Sequence, residues 1–156
     1  MRNKSLKFTV TAALIAALYT ALSIAFVIPV GGFQIRIAEA LTVLPCFTPA
    51  AIPGLFVGCI VSNLVTGALP VDVIFGSLAT LLGAVGTYLL RKYKWLAPLP
   101  PIAANTLILP FIIVYAYASP GTIWYFILTV GAGEILSCGV LGTLLTCVLK
   151  KLKIKF

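Results

Sequence analysis

The chain has only three acidic residues, Glu39, Asp72 and Glu134, and each falls inside or beside a long apolar run. Glu134 sits in the stretch GAGEILSCG (131–139). A carboxylate at that depth of hydrocarbon needs a partner, a proton or a ligand. Its neighbours Gly131, Gly133 and Ser137 are small and leave room beside it. One carboxylate accepts two parallel N–H bonds, as from an amidine-like edge. The alternative is an internal ion pair with Arg36, and the two roles can coexist. Arg36 and Glu39 are three residues apart, so they can meet on one helix surface. There they form a local pair near the outer membrane surface, or they orient a gate loop or touch a ligand. Asp72 follows Pro70 at a helix start, where a carboxylate suits the positive dipole end. It caps that helix or meets a cationic group of a ligand.

Phe33, Trp124 and Tyr125 fall at outer helix ends. They suit an interfacial aromatic belt, and from the same positions they can sandwich a flat ring. Asn63 and Asn105 are polar residues inside apolar runs, where hydrogen bonding between helices is the ordinary role. Asn63 is kept as a candidate ligand contact, whereas Asn105 is placed nearer the opposite, cytoplasmic side.

Much chemistry is excluded. Histidine is absent, which removes His-based acid–base catalysis and most catalytic zinc sites. Cys46, Cys59, Cys138 and Cys147 form no CxxC pair and read as buried inert thiols. There is no GxxxxGK[ST] phosphate loop, so this chain does not hydrolyse ATP by that route. No metal site, cofactor or enzymatic activity is expected.

The elements that position these residues follow from composition. Of 156 residues, 62% are hydrophobic and 9% charged, against about a quarter charged in a soluble domain. The expectation is a single all-α integral membrane domain over 1–156. Helices are predicted over about 8–28, 35–46, 50–69, 71–90, 102–118 and 123–148. The basic start is followed by an apolar run too long for a signal-peptide core, so the first helix is read as retained. It carries small residues at Ala12/Ala16 and at Ala13/Ala17/Ala21; residues four apart form a flat strip on which another helix can dock. PVGGFQ (29–34) is read as a turn.

Ten of the eleven basic residues fall in three clusters: Arg2, Lys4 and Lys7; Arg91, Lys92 and Lys94; and Lys150, Lys151, Lys153 and Lys155. The positive-inside rule places all three in the cytoplasm. An even number of crossings must then separate the N-terminus from the 91–95 loop, so the short 35–46 helix must cross as well. Six transmembrane helices with both termini cytoplasmic result. Glu134 then enters from the outside and lies about 15–18 Å deep at 1.5 Å per residue. The polar groups converge on a pocket open outward.

QIRIAEALTVLP (34–45), SNLVTGA (62–68) and GAGEILSCGVLG (131–142) resemble the QueT-type queuosine-precursor transporters, over nearly the whole chain. The resemblance implies the six-helix fold of the substrate-binding S component of an energy-coupling factor (ECF) importer in a bacterial plasma membrane. It implies uptake of 7-deazaguanine bases: queuine and its aminomethyl and cyano precursors. It also implies a coupling module of two ATPases and one transmembrane coupling subunit. The alanine strip of helix one matches the face on which such S components dock, in the register Ala12/Ala16 or Ala13/Ala17. On this reading Glu134 takes the donor edge of the base, an aromatic residue stacks on the ring, and Asp72 or Glu39 meets an aminomethyl group. The rivals are an S component for another vitamin or base, and a solitary secondary transporter with Glu134 as proton relay.

Overall fold

The computed structural model describes residues 2–30 and 33–152, with side chains over 3–27 and 35–152. The side chain of Phe33, a candidate ring-stacking residue, lies outside this set, as do the side chain of Arg2 and the tail residues Lys153 and Lys155.

Helix α1 runs Arg2–Ala25 and is followed by a hairpin of β1 (Val27–Val30) and β2 (Phe33–Arg36). The strands are antiparallel, with Val27 opposite Arg36 and Val30 opposite Phe33. The expected first helix therefore ends three residues early, and the expected turn widens into a short sheet. Two runs rich in β-branched and aromatic residues, VIPV and FQIR, flank Gly31 and Gly32, which is a hairpin pattern. The all-α expectation is corrected to that extent.

Ile37–Cys46 is a 3-10 helix, followed by α2 (Ala51–Val65) and α3 (Pro70–Leu89). After a short turn at Lys94–Leu96, α4 (Leu99–Phe111) continues as a π-helix through Ala116. Then α5 (Ile123–Glu134), a π-helical stretch (Ile135–Leu141) and α6 (Gly142–Lys151) form one continuous rod. Among the described residues four helices are long and apolar enough to cross a membrane: Asn3–Ala25, Pro70–Leu89, Lys94–Ala116 and Ile123–Lys151. The other two helical segments are shorter. A 3-10 run of ten residues is uncommon; at about 2.0 Å per residue it reaches roughly 20 Å, against about 15 Å for an α-helix of that length.

Contacts sort the helix ends into two poles. Cys46 Sγ donates to the Thr87 carbonyl, and the Thr87 hydroxyl donates to the Ala97 carbonyl. Lys94 Nζ lies 4.7 Å above the Phe47 ring. The end of the 3-10 helix and the 91–97 loop thus share one pole. Helix α1 runs parallel to α2, with Ala12 against Gly54 and Ala16 against Gly58, so Lys4 and Lys7 fall at the same pole. At the opposite pole the Tyr117 hydroxyl accepts from the Leu69 amide and donates to Asp72.

The α1–α2 seam is close. A Cβ on Gly54 would lie 2.7 Å from the Ala12 carbonyl oxygen, and one on Gly58 would lie 2.9 Å from that of Ala16. Only glycine permits this approach. The register of the small-residue strips is thereby divided: Ala12 and Ala16 pack within the molecule, while Ala13, Ala17 and Ala21 are exposed.

Candidate functional site

Helix geometry places a polar centre where α4 and α5 pair. Asn105 lies eleven residues before Ala116, and Glu134 eleven residues after Ile123. Antiparallel helices joined by one loop bring such positions to the same depth. Asn105 Nδ2 donates to Glu134 Oε1 at 2.9 Å, and both side chains are buried. The expectation that Asn105 lies nearer the basic pole is corrected: its equal count from the 117–122 loop brings it level with Glu134.

The π-helical stretch after Glu134 keeps Cys138 beneath it, with Sγ 3.2 Å from Glu134 Oε2. The thiol also lies 3.4 Å from the Glu39 carbonyl and 3.3 Å from the Thr42 hydroxyl. Thr42 Oγ1 donates to the Glu39 carbonyl at 2.6 Å. Glu39 is not at the outer surface. It is 2% exposed and accepts a 2.5 Å bond from the Tyr19 hydroxyl, itself fully buried on α1. Carboxylate oxygens of Glu39 and Glu134 and the sulfur of Cys138 lie within 4.8 Å of one another. Two unit charges at 4.8 Å repel by about 3.5 kcal/mol at an effective dielectric of about 20.

Above this centre opens a cavity of about 450 Å³. Glu134, Ser137 and Arg36 line it together with Thr129, Phe126, Tyr117 and Asp72, closed by aliphatic side chains of α4. Both π-helical stretches border it, a backbone form that recurs at functional sites. The Arg36 amide donates to Ser137 Oγ at 3.0 Å, which anchors the end of the hairpin to the rod. Among the described residues no Lys or Arg nitrogen lies within 4.0 Å of a carboxylate oxygen. The expected Arg36–Glu39 and Arg36–Glu134 pairs are therefore not formed, and the Arg36 side chain lines the cavity instead.

At the mouth, Tyr117 donates to Asp72 Oδ2 at 2.9 Å. Partial desolvation raises the Tyr117 phenol above its ordinary range, the Leu69 amide opposes this, and the bond to Asp72 adds to it. It therefore stays a neutral donor that fixes the carboxylate, so Asp72 does more than cap α3. The loop behind is shaped for this edge. Gly121 has φ +151°, and a Cβ there would meet the Phe126 ring at 2.9 Å. The Thr122 side chain caps α5 by accepting from the Tyr125 amide.

Of the candidate residues, Glu134, Arg36 and Asp72 line one cavity, and Glu39 lies beneath it. Trp124 and Tyr125 do not line it; they are 72% and 49% exposed. Phe126, one position on, turns inward with Tyr117, because 100° of helical rotation separates neighbours. Asn63 is buried between α2 and α3, 3.7 Å from Cys59 Sγ and 3.5 Å from the Asp72 carbonyl. It supports Asp72 from behind and does not line the cavity. Sequence reasoning missed Phe126 and Tyr117 as wall residues, whereas Ser137 lines the cavity beside Glu134.

The cavity can hold a small, partly polar molecule, offering an acid at its floor, an acid at its mouth and the Arg36 side chain in its wall. Its lining offers charged and hydrogen-bonding groups beside aromatic and aliphatic ones, an arrangement suited to holding such a ligand. Comparison with curated proteins and with solved structures gave no match. One protein-family model, that of the QueT transporter, matches residues 9–151, nearly the whole chain. With a membrane-spanning helical fold and a ligand-sized cavity already in place, that match assigns the chain to the QueT transporter family: it is a membrane transporter of a small molecule, and not an enzyme.

Proposed function

We propose that this transporter is the substrate-capturing S component of an ECF importer, and that its cargo is a 7-deazaguanine base, queuine or one of its aminomethyl and cyano precursors. The observation that carries this reading is the Glu134 carboxylate, held by Asn105 and Cys138 at the floor of the cavity. The N1–H and exocyclic amine of a 7-deazaguanine are two parallel donors that one carboxylate accepts together. Phe126 and Tyr117 supply flat faces to the ring, and Asp72 stands where a cationic aminomethyl substituent would emerge. Phe33, Trp124, Tyr125 and Asn63 are not needed for this pose.

Lys4, Lys7 and the 91–97 loop lie at the pole away from the cavity mouth, so by the positive-inside rule the mouth turns outward and both termini toward the cytoplasm. The six helical segments, the two short ones included, then form the six-helix S-component arrangement in the plasma membrane. With no phosphate loop of its own, the chain depends on a partner for ATP hydrolysis. The exposed strip of Ala13, Ala17 and Ala21 offers a docking face for a transmembrane coupling subunit, and Ala12/Ala16 is already occupied by α2. Transport would follow from rocking of this subunit as a rigid body around its bound cargo.

Titration calorimetry on the purified protein with queuine and its two precursors tests the reading. Saturable one-to-one binding of at least one is expected, with no binding of adenine, whose N1 is an acceptor. Failure of all three, with tight binding of a different vitamin or base, would sink the cargo assignment. Uptake that persists without an ATPase module and follows a proton gradient would favour a solitary secondary transporter.

A further inference from the structure

Beneath the cavity floor the Glu39–Glu134 pair has a feature that ligand capture does not explain. Glu134 Oε1 has Asn105 as donor, Glu134 Oε2 has the Cys138 thiol, and Glu39 Oε1 has the Tyr19 hydroxyl. Glu39 Oε2 alone has no hydrogen-bond partner, in a side chain only 2% exposed. Every group packed around the pair is accounted for: Tyr19 from α1, Cys59 from α2, Arg36 and Thr42 on either side of Glu39, Asn105 from α4 and Cys138 from the rod. Arg36 is the one cation among them, and it lies more than 4.0 Å from either acid.

We propose that Glu39 and Glu134 hold a single proton in the resting protein, carried on Glu39 Oε2, so that Glu134 faces the cavity as the anionic acceptor. Three observations converge. Two acids within 4.8 Å of each other and 2% and 5% exposed cannot both stay ionised. One proton on the pair leaves one negative charge, which Arg36 at the cavity wall balances. Both oxygens of Glu134 accept a hydrogen bond and only one oxygen of Glu39 does, so the negative charge is better supported on Glu134 and the proton falls to Glu39. A metal ion is the competing occupant of two carboxylates and a sulfur, but it requires a thiolate. Cys138 Sγ instead sits among three oxygens, the Glu39 carbonyl, Glu134 Oε2 and the Thr42 hydroxyl, of which the first two accept only. That environment calls for the S–H form. Glu39 thereby acts as a positioning residue: its neutral acid group lets Glu134 keep its charge.

The inference needs no assumption about the cargo and is tested without ligand. Infrared difference spectroscopy of the purified, chelator-treated protein at neutral pH reads the C=O stretch of a protonated carboxyl group, identified by its shift in D2O. Wild type should show one such band. It should be lost in Glu39→Gln and also in Glu134→Gln, because either variant leaves one acid to balance Arg36. In Tyr19→Phe, which keeps both acids, it should persist at higher frequency, since the acid carbonyl loses its donor. This variant also guards against a result that reflects misfolding of the glutamine variants. Absence of the band in wild type, or its survival in Glu39→Gln, would overturn the proposal. So would a band that appears only after chelation, which would assign the pair to a metal ion.

Discussion

Replacing Glu134 by glutamine removes one charge with almost no change of shape, and its cost can be worked from the contacts around it. Glu134 Oε1 is committed to Asn105 and Oε2 to the Cys138 thiol, and each oxygen keeps a lone pair for the cavity. A guanine-type edge bound there makes two charge-assisted bonds. In Glu134→Gln one acceptor becomes an NH2 donor. If the amide oxygen stays with Asn105, the amide nitrogen faces a donor of the ligand. The ligand loses one bond to a charged group, about 1.5–3 kcal/mol, and leaves a buried donor unpaired, a further 1–3 kcal/mol or so. A total near 3–5 kcal/mol corresponds to a loss of roughly 100- to 3,000-fold at about 1.4 kcal/mol per tenfold. Titration calorimetry with the best-binding 7-deazaguanine measures it. A variant that is folded by thermal melting and binds within about threefold of wild type would refute the role given to Glu134.

Three further outcomes follow from the same contacts. Asn105→Leu strips the donor from Glu134 Oε1 and should weaken binding by about 1–3 kcal/mol, read in the same titration. Gly54→Ala puts a methyl group 2.7 Å from the Ala12 carbonyl oxygen, so it should lower stability in detergent by about 1–3 kcal/mol, seen as a reduced melting temperature. Ala17→Leu adds bulk to the exposed strip and Ala16→Leu to the packed one. The first should melt as wild type but fail to co-purify with a coupling module, while the second should lose thermal stability; the reverse pattern would reassign the docking register.

Much of this architecture was legible from charge and hydropathy. Long apolar runs broken by Pro and Gly mark out the helical segments, because hydrocarbon demands internally bonded backbone, although α1 begins at Arg2 and α2 ends at Val65. Lys4 and Lys7 share one pole with the 91–97 loop. Glu134 stood out because an isolated acid in an apolar helix has few explanations. What escaped was local geometry. The hairpin reads as a turn in the sequence because its strands are four residues each and abut a paired glycine. The inward turn of Phe126 in place of Trp124 and Tyr125 depends on helix rotation, which a nearly uniform apolar sequence does not encode. The burial of Glu39 was hidden by Arg36 nearby, whose presence suggested a surface pair. Its true partner, Tyr19, is twenty residues away.

A structure of the protein loaded with a queuosine precursor bears on the central claim most directly. The account predicts the ligand in the cavity between α4 and α5, with N1–H and the exocyclic amine within hydrogen-bond reach of Glu134 and the ring against Phe126. A ligand seated elsewhere, or in this cavity with its donor edge turned away from Glu134, would contradict it.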